Sequence, residues 1–236
     1  MKEFNNKITN LSNNSILSYR FFQPVYIFLF VNLFLISGCS NINKNEVINI
    51  CSTTKLPCID SNEYVLFITN KGNIKLELYG KLAPITVGNF IDFIEKGSYD
   101  KTIFNRVIKK PYPFIIRGGD NTSIGNQNKS IDTKIKDKRY IPLEIKLKTS
   151  NLPIYGKEID EPSQINNIEL KHKRSYLSMA RSKALNSASL QFYILLKSLP
   201  ELDGRYAVFG KVISGMNIVD LIQEEDFIIE AKRVDS

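Results

Sequence analysis

His172 is the chain's one histidine, and Cys39, Cys51 and Cys58 are its three cysteines. No Cys/His cluster has metal-ligand spacing, so a zinc site lacks its ligands, and nucleophilic catalysis of the Ser-His-Asp kind has no spare histidine to serve as base. His172 itself reads as a satisfied structural histidine. The net charge of +8 would suit anionic lipid headgroups or nucleic acid. There is no basic stripe with interleaved aromatics and no zinc-finger or RNA-binding signature, so the charge reads as a solvated, Lys-rich surface and no nucleic-acid partner is expected. With 43% hydrophobic residues, 12 Gly and 9 Pro, the composition is that of a core-forming protein.

The cysteines divide by place. Residues 1–20 are polar with a positive excess, and Val25 to Ile36 is an apolar run too short for a comfortable spanning helix. It has the length of a signal-peptide core and ends in Ile36-Ser37-Gly38-Cys39, which looks like the lipobox of bacterial lipoproteins. That resemblance implies a signal peptide over 1–38, a lipid on Cys39 and a protein anchored to a bilayer rather than spanning it. The competing reading is an uncleaved anchor helix; both export the domain into an extracytoplasmic space. Residues 39–62 read as a tether. Cys51 and Cys58, flanking Pro57, are either a small disulfide loop or two free thiols.

The elements that must position any site begin at residue 63. Glu63–Thr69 and Asn73–Leu78 alternate around Asn70-Lys71-Gly72, which predicts a β-hairpin. Pro84 opens a helix with Val87, Phe90, Ile91 and Ile94 on one face, and Gly97 stops it. Short apolar stretches follow at Ile103–Ile108, Phe114–Ile116, Tyr140–Ile145, Tyr176–Ala180, Gln191–Leu196, Tyr206–Val212 and Phe227–Ala231, with a second helix over Met216–Gln223. Many short strands and two helices argue for a barrel or sandwich. Residues 121–171 read as a long irregular insertion, polar, Lys-rich and carrying Pro142, Pro153 and Pro162.

Several stretches together resemble the cyclophilin family of peptidyl-prolyl isomerases: Ala83-Pro84-Ile85-Thr86-Val87-Gly88-Asn89-Phe90, Phe104-Asn105-Arg106-Val107-Ile108, Gly118-Gly119-Asp120, Leu170-Lys171-His172 with Leu177-Ser178-Met179-Ala180-Arg181, Asn186 to Ile194, and Leu202 to Val212. They run in the family's order over about residues 63–231. The resemblance implies a mainly β protein, an eight-stranded antiparallel closed barrel capped by two helices, needing no cofactor and no metal. It is expected to be monomeric and to bind proline-containing segments of client proteins. It implies that Arg106 is the catalytic cation, that Phe114, Ile115, Tyr193 and Leu202 seat the proline ring, and that Tyr206 also contacts the substrate. Arg117, Gln191 and the backbone near Ala180 and Arg181 would align the peptide. Arg117 departs from the family, which usually has glutamine there, and the run Lys109 to Pro113 is longer than usual. Glu201 stands where some eukaryotic members have tryptophan, which implies weak cyclosporin binding. The alternative reading is a cyclophilin-like domain that holds proline-containing segments, or docks on a membrane assembly, without useful turnover.

Overall fold

In a computed structural model of the chain, residues 50–119 and 139–236 are described. The expected hairpin is formed by β1 (Asn62–Thr69) and β2 (Gly72–Tyr79), in register from Asn62↔Tyr79 to Thr69↔Gly72. Alternation puts Val65, Phe67, Ile74, Leu76 and Leu78 fully inside and their neighbours at the surface. The turn closes because Gly72 takes a φ of 134°.

Helix α2 (Pro84–Glu95) has Pro at its first turn and no side-chain cap from Ala83. Its open amides are met from far along the chain: the Glu144 carboxylate accepts from Ile85 N–H at 3.2 Å and Thr86 N–H at 2.8 Å. Burial raises the Glu144 pKa, and the hydrogen bonds from Thr86 and Ile85 oppose that rise. Phe90 of this helix packs on Tyr99, Phe192 and Phe209 at ring-centroid distances of 4.8, 5.5 and 5.0 Å. This aromatic group is the centre of the main core.

The remaining strands are β3 (Arg106–Val107), β4 (Ile115–Gly118), β5 (Glu144–Ile145), β6 (Ile154–Tyr155), β7 (Tyr176–Met179), β8 (Phe192–Leu195), β9 (Val208–Ser214) and β10 (Ile228–Val234). Eight of the ten strands among the described residues form one curled antiparallel sheet in the order β10-β1-β2-β9-β7-β8-β4-β3. Its end strands do not form a ladder with each other. The segment just before β3 is instead laced to the start of β10, by Lys101 N–H to Ile228 O, Ile228 N–H to Thr102 O, Phe104 N–H to Asp226 O and Glu225 N–H to Phe104 O. The second expected helix is α4 (Met216–Leu221), with Val219 and Ile222 fully buried.

Two expectations need correction. Tyr140–Ile145 is not a strand of the large sheet: among the described residues β5 pairs only with β6, and Ile141 makes an isolated bridge to Ala188. Its alternating apolar residues are buried as the pattern requires, but Pro142 offers no N–H to a ladder. The described part of the 121–171 segment, irregular over most of its length, is not wholly so. It contains β5, β6 and a short helix, α3 (Pro162–Asn166), over a second small core of Leu143, Ile145, Leu147, Ile159, Ile168 and Ala207. Those residues are contributed from scattered positions, so no single window shows their periodicity.

Residues at the end of the expected tether are seated on the domain. Cys51, within the one-turn helix α1 (Ile50–Thr53), forms a disulfide with Cys58, and Leu56, Cys58 and Ile59 pack against the main core. Gly88 of α2 makes this possible, because a Cβ there would lie 2.4 Å from the Cys58 amide nitrogen. Closing a loop of this sequence separation, 7 residues, contributes about 2.5 kcal/mol by chain entropy. Cys51→Ala with Cys58→Ala is expected to lower stability by that amount in urea titration; an unshifted midpoint would contradict the packing described.

Candidate active site

Strand register assembles the site. Arg106 faces Arg117, Arg117 faces Tyr193, and Tyr193 faces Ser178, across β3, β4, β8 and β7. Side chains directly opposite share a face and stand about 4.5–5.5 Å apart. The row one residue away, Val107, Ile116, Ile194 and Leu177, packs into the main core. Arg106, Arg117 and Tyr193 therefore project from the other face of the sheet. On that face Ile115, Tyr193, Leu195 and Leu199 are buried, and Ile108, Phe114, Tyr176, Ala180, Leu202 and Tyr206 pack around them, half-buried. Phe114, Ile115, Ala180, Tyr193, Leu202 and Tyr206, all expected at the site, are thus gathered into one apolar cluster. Arg106 is exposed on the same sheet face as the cluster. Among the described residues no carboxylate forms an ion pair with it.

A buried polar network holds the floor. The Tyr193 hydroxyl lies 3.3 Å from His172 Nε2, and His172 Nδ1 lies 2.9 Å from Asp203 Oδ1. Asp203 Oδ1 also accepts from the His172 amide at 2.8 Å, while the Ser178 hydroxyl, 3.3 Å from Nε2, donates to Ala207 O. The arrangement fits an imidazole protonated at Nδ1, with Nε2 accepting from the tyrosine. Burial pushes the Tyr193 phenol well above its ordinary pKa, so it stays a donor. For Asp203, burial acts to raise the pKa, but the hydrogen bonds from His172 outweigh it and hold the carboxyl below its usual range. His172 is the satisfied structural histidine expected, and its partners Asp203 and Ser178 were not singled out in the sequence. The signal was present in Leu202-Asp203-Gly204, but nothing local pairs it with a residue 31 positions away.

Beside the apolar cluster runs a groove of about 390 Å³ lined by Arg117, Ala180, Arg181 and Gln191 among others. Arg181 is occupied: its guanidinium bonds to Glu158 and the Arg205 carbonyl and lies 4.8 Å over the Tyr206 ring, leaving its side chain 7% exposed. It builds the wall rather than reaching for a ligand. The long 109–113 loop is pinned by Lys109, whose ammonium donates to the Asp220 and Ile222 carbonyls at the end of α4. Among the described residues there is no cluster of metal-ligating side chains, and Cys39 lies outside the described residues.

The family model for cyclophilin-type peptidyl-prolyl cis-trans isomerases matches residues 64–234. The chain belongs to this family. It is 34% identical to peptidyl-prolyl cis-trans isomerase A of Dickeya dadantii, over 70% of the chain and 73% of that protein. It is 38% identical to the isomerase-like 2 protein of Rhizopus delemar, over 70% of the chain but only 26% of that longer protein. Among solved structures, a Cryptosporidium parvum cyclophilin aligns with a TM-score of 0.54 at 30% identity, covering 75% of the chain and 99% of the other. The same protein was crystallised in the presence of the dipeptide Ala-Pro, with a TM-score of 0.53. For a cyclophilin the geometry has a direct chemical use: an apolar hollow takes a pyrrolidine ring out of water, and a fixed guanidinium on the same face can donate to the amide as it twists.

Asp203 gives the site a pH dependence. Its folded-state pKa lies below the unfolded value of about 3.9, so its contribution to stability is full above that pH and is lost as pH falls through the folded value. Wild type should therefore lose stability on acidification below about pH 4 more steeply than Asp203→Asn, measured by thermal unfolding across pH; parallel curves would show that the network does not operate.

Proposed function

We propose that the chain is a prolyl isomerase that assists the folding of exported proteins while tethered to a membrane through a lipid on Cys39. The observation that carries the catalytic part is the placement of Arg106 on the same outer sheet face as the cluster of Phe114, Ile115, Tyr193, Leu202 and Tyr206. Rotation about an X–Pro bond faces a barrier of about 18–20 kcal/mol because the nitrogen lone pair is delocalised into the carbonyl. A dry hollow favours the less polar twisted amide, and a charged donor at the prolyl nitrogen holds the lone pair off the carbonyl. No bond is made or broken. The export part is supported by the lipobox-like Ile36-Ser37-Gly38-Cys39 and by the Cys51–Cys58 disulfide, a bond that persists in oxidising compartments. Among the described residues no helix is long and apolar enough to cross a membrane.

A second reading is a binding module with little turnover. It is favoured by Arg117, which sets a second cation directly opposite Arg106. An NMR exchange assay on a short X–Pro peptide separates the two. Turnover that falls by about 10²-fold or more in Arg106→Ala supports the enzyme, a loss typical of removing one transition-state donor. An inert wild type that gains activity in Arg117→Gln supports the binding module.

The anchor is tested apart from the chemistry. Cys39→Ser is expected to abolish labelling by a radioactive fatty acid and to release the domain from the membrane fraction; continued labelling would refute the lipid site.

A further inference from the structure

The sheet register places two arginines directly opposite one another, Arg106 and Arg117. Like charges at such a position repel unless an anion lies between or beside them. Arg106 is the one the isomerase reading uses. Arg117 is half-buried, and its Nε donates to Asn105 Oδ1 at 3.0 Å, which fixes the plane of the guanidinium. Among the described residues its two terminal nitrogens have no acceptor and no carboxylate forms an ion pair with it. It forms part of the lining of the 390 Å³ groove, whose walls hold serines, Leu190 and Gln191 and, among the described residues, no Asp or Glu. The groove's other cation, Arg181, is already paired with Glu158. An oriented guanidinium, partly shielded from water, in a groove whose described residues include no acid is a site for a carboxylate.

We propose that Arg117 is a specificity-determining residue that makes this groove select client segments carrying Asp or Glu close to the proline. Arg117 faces Tyr193, a wall of the proline-binding cluster, in the register. An extended peptide advances about 3.3 Å per residue, so a side chain bound at Arg117 belongs to a residue within about two positions of the proline. A carboxylate there would also screen Arg106 from Arg117, offsetting the repulsion the pair creates. A neutral residue at position 117 would carry no such preference. The inference rests on the isomerase reading only for where the peptide lies.

The test is a set of short X–Pro peptides with Glu, Gln or Lys at each of two positions on either side of the proline. Their kcat/KM is measured by NMR exchange, and their affinity by titration without regard to turnover. At one of those positions Glu is expected to exceed Gln by about tenfold, the effect of one charge-assisted pair, and Lys to fall below both. In Arg117→Gln the Glu-to-Gln ratio should collapse to about one, and in Arg117→Lys a part of it should return. Raising the salt concentration should compress the wild-type ratio. Equal values for Glu and Gln at every position in the wild type, or a ratio that survives Arg117→Gln, would overturn the proposal. Because affinities carry the same ratio, a protein that binds with this preference and turns nothing over would defeat the isomerase reading and leave the selectivity standing.

Discussion

Pairing register along β3, β4, β8 and β7 governs what this molecule can do. A strand's side chains alternate between faces, so a slip of one residue exchanges the two sets completely. In β4 the present register sends Ile116 into the core and Arg117 outward. A one-residue slip would bury a guanidinium among aromatic rings, at a cost no neighbouring group could offset. Arg106 is tied to the same choice, because β3 contains only two residues, Arg106 and Val107, and Val107 packs inward. The core therefore specifies the site: Val107, Ile116, Ile194 and Leu177 must be inside, and the cations and Tyr193 are outside as a consequence.

The floor of the hollow meets a second constraint, that buried polar groups be paired. Tyr193 is 4% exposed and still carries a hydroxyl, so the site needs an acceptor beneath it. His172 supplies one only while its Nε2 is unprotonated, and Asp203 holds the other ring nitrogen in the donor role. Removing any one of the three leaves a buried group without its partner. The same logic operates at α2. Its first amides lack a local cap, and Glu144, drawn from the 139–171 segment, fills that place at the expense of burying a carboxyl. The small second core, the β5–β6 pair and the main helix are thereby linked through one side chain.

Much of the local structure was legible in advance. Alternation around Asn70-Lys71-Gly72 and the 3–4 spacing after Pro84 are local signals, and β1, β2 and α2 appear where those signals put them. Arg106 and the apolar positions Phe114, Ile115, Tyr193 and Leu202 were legible only through resemblance, because a lone arginine on a two-residue strand looks like any surface residue. Tyr140–Ile145 misled because apolar alternation reports burial of one face, without naming the sheet, or the absence of one, that buries it.

By itself the sequence determined that two chemistries lack their residues. With one histidine, and three cysteines all before residue 59, there is no Cys/His zinc set and no spare histidine for a Ser-His-Asp triad. It also determined the elements whose periodicity is contained in a short window. Tertiary structure alone decided how two arginines are used: Arg181 is held by Glu158 and Tyr206, while Arg117, bonded to Asn105, lines a groove with no acid among the described residues. It alone joined His172 to Asp203 and α2 to Glu144. Those pairings span 31 to 59 residues, and a contact made across that distance depends on the path of the chain, which no local pattern of residue types records.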